Sequence, residues 1–301
     1  MADSHWHGIY PAITTKFRPD DALDLPMMER HADWLITRGV HGLIVNGSLG
    51  EASTLSFGEK IETLRAVARA AAGRVPVLAT IAENSTAEGC RLARESAAAG
   101  ADGLMVLPGL RYVADARESA HHFRSIAAQS DLPLMIYNNP LAYGTDVTPA
   151  QFAALAAEER FVAIKESSGD IRRIAEIRRV TGKRYRLFCG VDDLALEALL
   201  MGADGWVAGL VTAFPAETVA IYEAVRAGRL DEARRLYHWF LPLLRLDVSA
   251  KLVQNIKLVE CKVLESSEHV RAPRLPLMGE ERREVERLIE DALRTRPWLE
   301  A

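Results

Sequence analysis

Gly202-Ala203-Asp204-Gly205 reads as the end of one element and the start of the next. Gly202 follows a helix-favouring apolar run and suits the left-handed position after a helix, while Gly205 opens the strand-like run Gly205–Leu210. The same spacing recurs at Gly39-Val40-His41-Gly42 and Gly100-Ala101-Asp102-Gly103. A helix stop followed three residues later by a strand start, in three places, marks a repeated βα unit.

Extending the pattern in both directions predicts eight strands, at Gly8–Thr14, Gly42–Gly47, Pro76–Ala82, Gly103–Pro108, Pro133–Asn139, Phe161–Ser167, Arg186–Val191 and Gly205–Leu210. The amphipathic stretches between and after them predict helices near Pro26–Arg38, Phe57–Ala72, Thr86–Ala99, Asp115–Gln129, Pro149–Ala157, Asp170–Thr181, Leu194–Met201 and Pro215–Arg226. The strands are apolar along most of their length, as strands buried on both faces of a parallel sheet must be. Eight successive βα units predict a TIM (β/α)8 barrel. A doubly wound sheet is the alternative, but no Gly-x-Gly-x-x-Gly turn follows the first strand. Beyond Arg226 the alternation gives way to three helical stretches, Asp231–Leu246, Ser249–Glu265 and Glu280–Arg294. The expected organisation is a barrel over residues 1–228 and a C-terminal three-helix extension over 229–301, packed on the barrel or on a partner.

The 301 residues are 49% hydrophobic and 26% charged, with a formal charge of −4, which suits a globular chain and argues against a nucleic-acid binder. No apolar run approaches the roughly 20 residues that a membrane span needs. Three scattered cysteines, Cys90, Cys189 and Cys261, form neither a disulfide framework nor a zinc pattern, and nothing in Met1–Tyr10 signals export. A cytoplasmic location is expected. The histidines lack the spacing and acidic support of a metal site, so no metal is expected.

In a barrel of this kind, polar residues at the C-terminal strand ends face the site. Lys165 stands out because it follows Phe161-Val162-Ala163-Ile164 inside an apolar strand. A buried, unpaired ammonium tends to lose its proton, and a neutral amine adds to a carbonyl to form a Schiff base. An ion pair with Glu166 is the competing reading, although neighbouring strand residues face opposite ways. Tyr137 can act as an acid or base, or simply pack. Gly47-Ser48-Leu49-Gly50 can offer backbone N–H groups and a hydroxyl to a carboxylate.

Taken in order, Gly47-Ser48-x-Gly50-Glu51, Tyr137-Asn138-x-Pro140 and Ile164-Lys165-Glu166-Ser167-Ser168-Gly169-Asp170 resemble the dihydrodipicolinate synthase / N-acetylneuraminate lyase family of Schiff-base lyases. The resemblance implies Lys165 as the Schiff-base lysine and Tyr137 as proton shuttle. It also implies that Ser48 and the backbone at Leu49 hold a 2-oxo-acid carboxylate, and that the chain forms a homotetramer, a dimer of dimers. The sequence departs from the synthase branch in three places. Leu49 replaces a second threonine, Pro108-Gly109-Leu110 lacks a tyrosine that would reach a neighbouring subunit, and Ala142 replaces an arginine. A hydroxyl relay and a carboxylate clamp are therefore absent.

Asn138-Asn139-Pro140-x-x-Tyr143-x-x-Asp146-x-Thr148-Pro149, Gly190-Val191-Asp192-Asp193 and Leu246-Asp247-x-x-x-Lys251 are similar to 1-pyrroline-4-hydroxy-2-carboxylate deaminases of hydroxyproline degradation. That likeness implies a cyclic imino acid substrate, converted to 2,5-dioxopentanoate and ammonia. Gly47, Leu49, Asn139, Tyr143, Gly190 and Asp192 are the expected substrate contacts, and no cofactor is needed beyond the covalent link to Lys165. A 2-oxo-acid aldolase or dehydratase acting on a pyruvate-derived or 2-keto-3-deoxy sugar acid shares the first steps and is the alternative. A barrel that binds a small acid without turnover is the reading outside enzymology.

Overall fold

The computed structural model describes residues 6–299. Its strands are β1 (Gly8–Pro11), β2 (Leu43–Val45), β3 (Val77–Ile81), β4 (Gly103–Val106), β5 (Leu134–Asn138), β6 (Phe161–Glu166), β7 (Arg186–Cys189) and β8 (Gly205–Ala208). All are parallel and run in chain order around a barrel, with β1 paired to β8. The remaining seam, between β1 and β2, is spanned by the parallel bridge of Ala12 with Ile44. The TIM barrel expected from the alternation is the fold observed.

The helices are α1 (Leu25–Ile36), α2 (Phe57–Ala71), α3 (Thr86–Ala98), α4 (Ala116–Ala127), α5 (Pro140–Tyr143), α6 (Pro149–Ala154), α7 (Arg172–Thr181), α8 (Ala195–Leu200), α9 (Pro215–Arg226), α10 (Leu230–Leu244), α11 (Leu252–Leu264) and α12 (Gly279–Arg294). Reciprocal caps start three of them: Ser56 with Glu59 for α2, Asp115 with Glu118 for α4, and Thr148 with Gln151 for α6. The short α5 was not predicted. It forms because Asn139 accepts a hydrogen bond from the Ala142 N–H at 3.0 Å and Pro140 occupies the first helical position.

The glycine pairs have two separate uses. Gly39, Gly100 and Gly202 adopt φ of 86°, 98° and 93°, the left-handed stop that a side chain would strain. Their partners make room for rings at the barrel floor. A Cβ on Gly42 would lie 2.1 Å from Tyr10, one on Gly103 2.4 Å from Trp6, and one on Gly205 2.5 Å from Phe188. Trp6, Tyr10 and Phe188 join Leu78, Met105 and Met135 in an inner core distinct from the layer between strands and helices.

Several strands stop short of their predicted polar ends. Asn46 ends β2 because it turns to φ 59°; its amide donates to the Lys60 carbonyl at 2.8 Å and its oxygen accepts from Thr63 at 2.7 Å. Those ends become loops facing the barrel mouth.

In the tail, α10 packs along α9, and α12 contacts both α10 and α11. Two fully buried ion pairs join α11 to the barrel: Lys16 with Glu260, and Lys257 with Glu51. Removing one partner of such a pair strands a charge in a medium that cannot solvate it, at a cost of about 3–5 kcal/mol. The tail is therefore tied to the turn that follows β2. Among the described residues, no helix is long and apolar enough to cross a membrane.

Candidate active site

Lys165 sits on the inner face of β6, in register with Tyr137 on β5 and Phe188 on β7. Its side chain passes Gly190, the residue after β7, where a Cβ would meet Lys165 Cε at 2.5 Å and Ser167 Oγ at 2.0 Å. Gly190 thus leaves the channel through which the lysine extends. Nζ ends 4.0 Å from the centre of the Tyr137 ring. The ion pair with Glu166 does not form. Glu166 faces outward and accepts from Asn138 at 3.1 Å and from the Ser168 N–H at 2.6 Å. Burial pushes the Lys165 amine below the usual lysine range, countered first by the charge of Asp247 and then by Tyr143 and Asp192.

Two phenols cover the lysine. Tyr137 and Tyr143 meet edge to face, with centroids 6.1 Å apart. Asn139 donates to the Tyr137 hydroxyl at 3.0 Å, and Tyr143 shares a hydrogen bond with Ser48. Burial raises both phenols; the Asn139 and Ser48 contacts oppose the rise.

The turn after β2 is fixed from below. Glu51 N donates to Ser48 O at 3.1 Å, Thr15 donates to Gly50 O at 2.6 Å, and the Glu51 carboxylate accepts from Lys257. The N–H groups of Ser48 and Leu49 have no protein acceptor among the described residues. Gly50 is closely enclosed: a Cβ there would lie 3.1 Å from the Ile13 carbonyl.

These groups line a cavity of about 620 Å³ at the C-terminal end of the barrel. Of the predicted contacts, Gly47, Ser48, Leu49, Tyr137, Asn139, Tyr143, Lys165 and Gly190 line it. Asp192 does not. Its buried carboxylate accepts from Trp206 Nε1 at 2.8 Å, from Leu210 N at 2.9 Å and from Gly209 N at 3.2 Å. The expectation that Asp192 grips the substrate is therefore corrected: its acceptor capacity is spent on fixing the end of β8.

Sequence reasoning missed Asp247, which the tail brings into the cavity wall beside Val248 and Ser249. The signal was present in Leu246-Asp247-x-x-x-Lys251, but only the folding back of the tail places that aspartate over Gly209. Among the described residues, the charged ones of the wall are Lys165, Asp193 and Asp247, with Ala142 lining it and no arginine.

The sequence matches the model of the dihydrodipicolinate synthetase family over residues 5–292. It is 35% identical over 243 residues to the 4-hydroxy-tetrahydrodipicolinate synthase of Methanoculleus marisnigri, covering 80% of this chain and 83% of that one. It is 31% identical over 293 residues to the synthase of Natronomonas pharaonis, covering 97% and 99%. The structure of the synthase from Methylacidiphilum fumariolicum superimposes with a TM-score of 0.92 at 27% identity, over 96% of each chain.

Proposed function

Because this chain belongs to the dihydrodipicolinate synthetase family, we propose that it is a Schiff-base lyase acting on a 2-oxo acid through Lys165. The observation that carries the reading is the desolvated amine of Lys165 beside the Tyr137 ring. The neutral amine adds to C2 of the 2-oxo acid, and loss of water gives an iminium. The carboxylate rests on the free N–H groups of Ser48 and Leu49. The iminium acidifies the protons on C3, Tyr137 relays the proton, and the resulting enamine adds to an aldehyde carbon; in the reverse direction the iminium of a 4-hydroxy-2-oxo acid gives up its hydroxyl proton, the C3–C4 pair flows into the iminium, and aldehyde and enamine result. The lysine is the electron sink, so no further cofactor is required.

Carbon–carbon lyase chemistry on a pyruvate-derived acid agrees with the named relatives better than deamination does. Deamination of a cyclic imino acid is the second reading. It is favoured by one feature of the wall: Ala142 and the absence of arginine leave no clamp for a second carboxylate. Incubation with a 4-hydroxy-2-oxo acid and, separately, with 1-pyrroline-4-hydroxy-2-carboxylate decides between them. Pyruvate release from the first supports the lyase, and ammonia release from the second overturns it in favour of the deaminase.

We assign residues 229–301 to the catalytic unit as an extension of the barrel, since Asp247 lines the cavity. A homotetramer is the assembly we propose, and the exposed Tyr112 and Val113 are apolar surface available to a subunit contact. The free cysteines fit a cytoplasmic enzyme.

A further inference from the structure

Asp247 sits between α10 and α11, where the chain turns back over the barrel mouth. Space has been cleared for its carboxylate. A Cβ on Gly209 would lie 2.3 Å from Asp247 Oδ1 and 2.9 Å from its Cγ. The backbone beneath is fixed by Asp192, which holds the N–H groups of Gly209 and Leu210. The Asp247 carboxylate itself has no hydrogen-bond or ion-pair partner among the described residues, although it lines the cavity that holds Lys165. The residue is only partly buried, so water reaches the carboxylate in the open cavity; a bound molecule that displaces that water must itself supply a donor or leave the carboxylate unsatisfied.

We propose that Asp247 accepts a hydrogen bond from a hydroxyl group that the substrate carries beyond its Schiff-base carbon, so that the tail selects hydroxylated 2-oxo acids over their deoxy counterparts. This rests on the Schiff-base reading of Lys165. Among the described residues that lysine is the wall's only cation, and the covalent bond commits it to C2. A distal carboxylate would face Asp247 and Asp193 with no arginine to receive it. A distal methyl would leave Asp247 unsatisfied. A hydroxyl donates and carries no charge, and it fits both constraints.

The test compares two acids that differ by one hydroxyl, 4-hydroxy-2-oxobutanoate and 2-oxobutanoate. The readout is the concentration of each that gives half-maximal borohydride adduct on Lys165, with the intact-acid adduct and the pyruvate adduct left by its cleavage identified by mass and counted together. A hydrogen bond to a carboxylate is worth about 1.5–3 kcal/mol, which converts to a preference of roughly 10- to 100-fold for the hydroxylated acid. In Asp247→Ala the preference falls to about one, and Asp247→Asn, which keeps a weaker acceptor, falls between. Taking the ratio within each protein cancels any change in the lysine itself. Equal half-saturation in the wild type, or an undiminished ratio in the alanine variant, overturns the proposal. If the alanine variant traps neither acid, the asparagine variant decides, and a wild-type ratio there overturns it. Failure of the wild type to trap any 2-oxo acid is a different result, because it removes the Schiff-base reading itself.

Discussion

Tyr137 on β5 and Lys165 on β6 are register partners in the barrel wall, and the lysine Nζ lies 4.0 Å from the centre of the tyrosine ring. The ring shields the amine from water, while the hydroxyl, held by Asn139, is the group available to move protons. The two roles separate by mutation. Tyr137→Phe keeps the ring and is expected to lower turnover by about 10²- to 10⁴-fold. Its unfolding midpoint should change little, because the half-buried Asn139 that donates to the hydroxyl can donate to water instead. Steady-state kinetics with parallel thermal melts check this; near wild-type turnover would remove Tyr137 from the proton path.

Gly190 gives a sharper steric prediction. A methyl group there would lie 2.0 Å from Ser167 Oγ and 2.5 Å from Lys165 Cε, so the lysine must leave its channel. Displacement of a reacting atom by about 1 Å costs on the order of 10²-fold. The rate of borohydride trapping with pyruvate in Gly190→Ala should fall by that factor. A wild-type rate would mean that the lysine reaches the substrate by another route.

Lys257 connects the tail to the turn at Ser48. Its ammonium pairs with the buried Glu51 and donates to the His269 carbonyl at 2.7 Å. Lys257→Met removes the direct partner of Glu51 and leaves only Arg274, at 3.9 Å, and the Arg271 N–H, at 3.2 Å, and urea denaturation should show a loss of about 3 kcal/mol. Because Glu51 anchors the turn, the concentration of 2-oxo acid needed for half-saturation should rise as well. An unchanged affinity in a destabilised variant would confine the pair to stability alone.

His31 predicts a pH dependence that is separate from catalysis. Burial, reinforced by the charge of Lys16 and opposed by that of Glu260, pushes its imidazole down to about 4 from an ordinary 6.5. The unfolded chain takes up a proton as pH falls below 6.5, whereas the folded chain refuses it until about 4. The contribution is complete above pH 6.5 and is lost as pH falls from 6.5 to 4, by on the order of 3 kcal/mol. His31→Gln can keep a donor toward the Thr212 carbonyl, which His31 Nε2 meets at 2.7 Å, and it cannot titrate. The lead of the wild type over this variant in urea should shrink between pH 7 and pH 4.5; a constant lead contradicts the assignment.

The barrel was legible in the sequence because its signals are local. The left-handed glycines at 39, 100 and 202 and the uniformly apolar strands need no tertiary knowledge to be read. Lys165 was legible for a related reason, since a charge inside an apolar strand is conspicuous in one dimension. Asp192 and Asp247 were not. Both are aspartates just past the ends of elements; the pairing of β7 with β8 turns one into an anchor for β8, and the course of α10 and α11 turns the other into part of the cavity wall. The short α5 escaped notice because its cap and proline act over four residues, below the reach of periodicity.

The central claim is that Lys165 forms a covalent imine with a 2-oxo acid. Purified protein should be incubated with pyruvate, reduced with borohydride, digested and analysed by mass spectrometry. The account predicts one reduced pyruvate adduct per chain, located on Lys165 and absent from Lys165→Arg. An unmodified Lys165 under saturating pyruvate, or an adduct carried instead by Lys16 or Lys257, would contradict it.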